Sequence, residues 1–220
     1  MTDHQVLRVF ADPHGNHGNQ LGVVLDGGSI PEAADRQRFA AELGFAETIF
    51  FDDVERAEFA IYTPLTELPF AGHPAVGAAW IVGRELGEAP AVLRVAAGEV
   101  DTWQDGADVW VRGPLASAPA WWHERLESAE AVDKLTGPLV PEQDATQLWA
   151  WEDEAAGIVR VRVFGQRFGI AEDEACGSAS MRLAATLGRR LTIKHGAGSI
   201  VLAQPGPPAY AEIGGRVVVD

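Results

Sequence analysis

The chain has 220 residues, 47% of them hydrophobic, with 17 Lys and Arg set against 32 Asp and Glu for a formal net charge of −15 at pH 7. A field of that sign repels phosphates, which excludes nucleic acid and anionic membrane surfaces as partners and requires local donors for any anionic ligand. One cysteine excludes an internal disulfide, and no run of apolar residues is longer than 75–82, too short to span a bilayer. The N-terminal residues lack a basic stretch followed by an apolar one, so the expectation is a cytoplasmic protein.

Residues 6–11 alternate Val6, Arg8 and Phe10 against Leu7, Val9 and Ala11, which predicts a first strand. A loop rich in Gly and Asn follows, residue types that tolerate positive φ, and then a strand over 21–25. Pro31 to Leu43 reads as a surface helix, with Pro at its start, Gly44 past its end and Phe39, Ala40 and Leu43 on one face. In the next strand Glu47 shares a face with Ile49 and Phe51, while Thr48 and Phe50 point the other way. A carboxylate carried into an apolar strand loses water, which suits it to proton transfer near neutral pH. A Glu at the first position of a strand can equally stand in water, and the residues alone favour that reading.

After a strand over 58–62, residues 70–82 run from small residues and Gly72-His73-Pro74 into an apolar segment with no polar face. Pro74 fits a first helical turn, and a helix apolar all round is a buried one. Residues 172–187 repeat this design: acids and small residues, with Gly177 and Ser178 at the tip, then Met181, Leu183, Ala184, Ala185 and Leu187. The acids are read as helix-start signals, and the bare tip leaves backbone N–H groups open to an anion. Two buried rods in so short a chain each need a sheet around them. Strands are expected over 92–96, 99–103, 108–112, 147–151, 158–164, 199–203 and 216–219, and a helix within 117–137 using Trp121, Trp122, Leu126 and Leu135.

His123 in that helix is expected at the surface, and Trp149 and Trp151, on one strand face, are expected in core packing or a subunit contact. Gly113-Pro114 is the expected boundary between units 1–113 and 114–220, with the last strand able to return to the first. No GxGxxG loop is present, and the six histidines are scattered without metal-ligand spacing, so neither nucleotide nor metal is expected.

With both tips in view, the chain resembles the PhzF-like phenazine-biosynthesis isomerases of the diaminopimelate-epimerase-like superfamily. The resemblance is carried by GNQLGVVLD near the start, ELGFAETIFF around Glu47, PFAGHPAVGAA around His73 and FGIAEDEACGSAS around Asp173. It implies an α/β fold of two similar lobes, each a curled mixed sheet around a central helix, with the site between them, and a homodimer. It also implies a proton moved between carbons of a small, cyclic or amino-acid-derived carboxylate by a glutamate, without metal or organic cofactor. Glu47 matches that glutamate, His73 the histidine of GHP, Asp173 the aspartate of the ED motif and Gly177-Ser178 the second tip. Gly72 and Gly177-Ser178 would then hold carboxylate or enolate oxygens, while His73 and Asp173 orient the substrate. Helix-dipole capping by Asp173, and packing of His73 ahead of Pro74, are the structural alternatives for those two residues.

The chain departs from the resemblance at three places: near the start Gln20 stands where the family's GNP has Pro, in the loop expected over the site, and the other two lie before the second tip. Glu174 stands where the family has Pro, and Cys176 where Thr is usual. A cysteine at that tip is the pattern of the related racemases, but the first tip has Ala71, so two opposed thiols are not available. A one-thiol epimerase pairing Cys176 with Glu47, and a family member that binds a small acid without turning it over, are the alternatives to an isomerase.

Overall fold

Leu7 and Val9 face inward with no exposed surface and Arg8 faces out, the alternation that defines a half-buried strand. The computed structural model describes residues 3–220. The strands are β1 (Gln5–Ala11), β2 (Asn19–Val24), β3 (Glu47–Asp53), β4 (Glu58–Tyr62), β5 (Glu67–Leu68), β6 (Val92–Val95), β7 (Gly98–Asp105) and β8 (Asp108–Pro114). They continue with β9 (Trp122–Arg125), β10 (Thr146–Asp153), β11 (Ile158–Gly165), β12 (Ile170–Asp173), β13 (Leu191–His195), β14 (Ser199–Pro205) and β15 (Tyr210–Val219). The α-helices are α1 (Ala33–Leu43), α2 (Gly72–Leu86), α3 (Ala129–Asp133) and α4 (Gly177–Leu187).

Among the described residues the strands form one mixed sheet, coiled twice. The path β1-β2-β3-β4-β6-β7-β8-β15 closes because β15 also pairs with β1, through Leu7 with Val219 and Val9 with Val217. That circuit surrounds α2. From β15 the sheet continues through β14, β13, β11 and β10 to β9, and α4 packs against its β14 and β15. The two halves repeat each other in strand direction: β2 runs parallel to β3 as β9 does to β10, and β4 runs parallel to β6 as β11 does to β13.

α2 is buried through its first turns because its sequence leaves no polar face there, while α4 buries Ala179, Met181, Leu183 and Ala184 and turns Arg182 and Thr186 toward its open side. Residues 72–79 of α2 are buried without a break, and Ala75, Val76, Ala78 and Ile81 have no exposed surface. Removing each Val or Ile side chain from water contributes about 1.5–3 kcal/mol. Close packing makes Gly77 obligatory, since a Cβ there would strike Leu21 and Val9 across the β1–β2 pair. Pro74 falls in the first turn, where the lost N–H has no intrahelical partner to miss. Among the described residues no helix is long and apolar enough to cross a membrane.

Four sequence expectations are corrected. The helix expected from Pro31 begins at Ala33; Phe39 and Ala40 pack inward as expected, and Arg36 joins that face, held by the carbonyls of Gly27 and Ile30 and by Asp52. Residues 117–137 do not form one helix. They hold the edge strand β9 and the short α3, started by Ser128, whose hydroxyl accepts from the N–H of Ala131. The acids Glu172 and Asp173 do not lie on a helix: they end β12, Glu172 takes both donors of Arg162 at 2.6 Å, and α4 starts at Gly177 with Cys176 as its N-cap. His123 is not a surface side chain. Both ring nitrogens are enclosed beside Gln147, and burial lowers its pKa. Trp149 packs in the core, edge-on to Trp151 at 5.4 Å.

Candidate active site

The starts of α2 and α4 meet. A Cβ at Gly177 would stand 2.8 Å from the backbone N of His73 and 3.3 Å from the carbonyl carbon of Gly72. The first helical bonds run from the N–H of Ala75 to the carbonyl of Ala71 and from the N–H of Ser180 to the carbonyl of Cys176, so the N–H groups of Gly72, His73, Gly177 and Ser178 precede the first intrahelical donors. Two helix tips with free donors in van der Waals contact make a local positive field in a strongly acidic chain.

Glu47 opens β3, paired with Leu21 of β2, and its side chain is 16% exposed. The next inward residues, Ile49 and Phe51, are in the core against α2, so the strand face predicted for Glu47 is the inward one. Its Oε2 lies 2.9 Å from Nδ1 of His73, which is 3% exposed. With Glu47 ionised, Nδ1 carries a proton and donates to it, and Nε2 is buried without a partner. The ring is supported from below by Phe10, 6.2 Å away. Phe10 has φ +67° and sits at a bulge between β1 and β15, a strained backbone that turns a large apolar side chain inward beneath the histidine.

Asp173 faces this pair from the end of β12. Its Oδ1 accepts from Nδ2 of Asn19 at 2.7 Å and from the N–H of Ala175 at 3.2 Å. Loss of water around the carboxyl, and then the nearby Glu47 carboxylate, push its pKa from 3.8 up to about 6, with His73 and the hydrogen bonds pulling the other way. The group whose proton affinity burial raises is therefore the aspartate of the second half.

Cys176 has a buried thiol 3.5 Å from the Ser178 hydroxyl, and burial followed by the Asp173 charge pushes it well above the ordinary thiol value. Ser178 also accepts from the indole N–H of Trp121 at 2.9 Å, and Trp121 packs against Phe168 at 5.5 Å. Behind the tip, the Ser180 hydroxyl donates to the Cys176 carbonyl at 2.7 Å and so accepts from Nε2–H of His195 at 2.9 Å.

The enclosed cleft, about 530 Å³ with its open mouth, has Glu47, His73, Asp173, Cys176 and both glycine tips on its floor and Phe70, Trp121 and Phe168 in its walls. Polar groups converging in an apolar pocket are what binding a small acid requires. Among the described residues no group of three or more His, Cys, Asp or Glu side chains is placed to hold a metal ion. All seven residues singled out from the sequence, Glu47, Gly72, His73, Asp173, Cys176, Gly177 and Ser178, line this one cleft. Sequence reasoning missed Asn19, Trp121 and Phe168, although an Asn in a Gly-rich loop beside a strand is a usable signal for the first.

Residues 7–147 match the family model of phenazine biosynthesis-like proteins. The trans-2,3-dihydro-3-hydroxyanthranilate isomerase of Pseudomonas aeruginosa is 28% identical over 219 residues, covering 81% of this chain and 77% of that one. A phenazine biosynthesis protein of the PhzF family from Enterococcus faecalis superimposes with a TM-score of 0.79 at 17% identity, covering 98% of this chain and 95% of the other. A hydroxyproline epimerase from Agrobacterium vitis, solved with trans-4-hydroxy-L-proline bound, has a TM-score of 0.59 at 12% identity, covering 99% and 90%. These neighbours share the diaminopimelate-epimerase-like fold.

Proposed function

The chain belongs to the family of phenazine biosynthesis-like proteins and is an isomerase, and from that premise we propose that Glu47 moves a proton between carbons of a small, cyclic or amino-acid-derived carboxylate without a cofactor. The observation that carries the reading is the Glu47–His73 contact at the floor of a cleft whose two helix tips present free N–H groups. His73 holds Oε2, so Oε1 is the oxygen free to take a proton from carbon. The electron pair left on the substrate passes into its unsaturated system toward the carboxylate, where the N–H groups of Gly72, Gly177 and Ser178 stabilise it. Glu47, now the acid, returns the proton to a second carbon, so no net charge or electron leaves the site. Nε2 of His73 accepts from a substrate N–H or O–H, and Asp173 with its raised pKa shares the orientation of that group.

A one-thiol epimerase using Cys176 is disfavoured by its burial and raised pKa, which hold the sulfur as the less nucleophilic thiol. The test is solvent deuterium incorporation, followed by NMR across a panel of cyclic amino and hydroxy acids. Wild type should label a substrate, and Glu47→Gln should lose at least about a hundredfold in rate while still binding it. Labelling that survives in Glu47→Gln would remove the base assignment, and a panel that wild type never labels would favour a binding protein.

A further inference from the structure

Glu174 is one of the residues at which this chain departs from the family pattern, and the proton-transfer reading gives it no task. Its carboxylate turns away from the cleft to the β13–β14 turn, where it accepts from the N–H of Ala197 and, at 2.7 Å, from the Ser199 hydroxyl. Gly196 is pressed against that carboxylate, so that no side chain fits there. Ser199 has no exposed surface and a single proton, which it gives to Glu174, so its oxygen is free to accept from the N–H of Gly18 at 2.9 Å. Gly18 has φ +86°, and a Cβ there would meet Arg8, Val9 and Ala11 at 3.0–3.2 Å, so the position that receives this hydrogen bond takes glycine. The residue after it is Asn19, which grips Asp173.

Two consecutive residues of one half thus hold two consecutive residues of the other. Asp173 binds Asn19 directly, and Glu174 binds Gly18 through Ser199, closing a small ring across the cleft. We infer that Glu174 is a positioning residue, which through Ser199 and Gly18 sets the Asn19 amide on Asp173 and so fixes that carboxyl in the site. A Pro at 174 has no acceptor to offer Ser199, so this link is particular to the present chain. The groups that face Asp173 apart from this ring are Glu47 on β3, His73 on α2 and Cys176 at the start of α4, and none of them is touched by Glu174.

The role deepens the proton-transfer reading, but its test needs no substrate, so either can fail without the other. The aspartate side-chain carbon signal of Asp173, assigned by its loss in Asp173→Asn, is titrated by NMR in wild type, Ser199→Ala and Glu174→Asp. Both substitutions keep the charge count near Asp173 and break the ring. Losing a donor to the carboxylate should raise the midpoint by about half a pH unit or more. The double variant should move it no further than the larger single shift. Unmoved midpoints in folded variants, whatever their melting temperatures, would overturn the inference, because a merely structural role lowers stability and leaves Asp173 alone. If one variant does not fold, the other decides. In wild type, a Gly18 amide that exchanges as fast as a free loop amide would also refute it.

Discussion

Gly177 and the backbone N of His73 are so close that a methyl group on the first would stand 2.8 Å from the second. The neighbour is backbone at the start of a buried helix, so it cannot swing aside as a flexible side chain would. Gly177→Ala is therefore expected to destabilise the protein by about 1–3 kcal/mol and to weaken binding of small carboxylates, as the tips are forced apart. Urea unfolding and ligand titration check the two effects. A variant as stable and as tight-binding as wild type would mean that the tips do not touch.

Cys176 should behave as a packed thiol. With its sulfur enclosed and its pKa raised, alkylation by iodoacetamide at pH 8 is expected to be far slower than for a small free thiol. Cys176→Ser should keep the deuterium exchange of the wild type. Rapid alkylation coupled to loss of exchange would restore the thiol as the second base.

Asp173 makes a stability contribution whose sign follows from the direction of its shift. A carboxyl with a folded pKa of about 6 against 3.8 binds its proton more tightly in the folded state. The stabilisation is complete below pH 3.8 and is lost as pH rises through 6. Asp173→Asn, neutral throughout, should gain on wild type across that window and hold a constant advantage above it, at most about 3 kcal/mol because Glu47 shares the effect. Denaturant midpoints of both proteins from pH 4 to 8 measure it, and parallel curves would contradict the assigned environment.

His195 acts with the opposite sign. Full burial and the Arg160 guanidinium lower its pKa from 6.5 to about 3, so it is neutral when folded and takes a proton on unfolding. Its stabilisation is complete above pH 6.5 and declines as pH falls toward 3, by about 2 kcal/mol at pH 5. His195→Gln should flatten that acid limb relative to its own value at pH 7. A variant with the same acid slope as wild type would show that another group drives acid unfolding.

The two central helices were legible because their chemistry is local: an apolar run opened by Gly and Pro in one, and small residues followed by Met181, Leu183 and Ala184 in the other, and the glycine tips follow. Glu47 shares a strand face with Ile49 and Phe51, but the alternation alone favoured a carboxylate in water at the strand's first position, and the family resemblance turned that reading round. Trp121, Trp122 and Leu126 misled because a short edge strand has too few residues to show its own period. Its pairing with β10 is decided by partners distant in sequence. The acids at 172–174 imitate a helix start, and only Arg162 on β11, which grips Glu172, reveals why Glu172 and Asp173 stay in a strand. β13 was missed although Leu191, Ile193 and His195 alternate inward against Thr192 and Lys194. A charged residue and a histidine in five positions hide a core strand, and no local signal says that the histidine is buried.

The pairing of β1 with β15 joins the two ends of the described chain, Leu7 to Val219. During synthesis the circuit around α2 therefore has no closing strand until residues 210–219 have left the ribosome, and α2 must wait with an apolar surface only partly covered. Contacts of such long sequence separation form slowly, so this half, which carries Glu47 and His73, should mature no earlier than the half that follows it. Pulsed hydrogen exchange during refolding would show the amides of β1 and β15 becoming protected together, and early protection of β1 alone would refute that order.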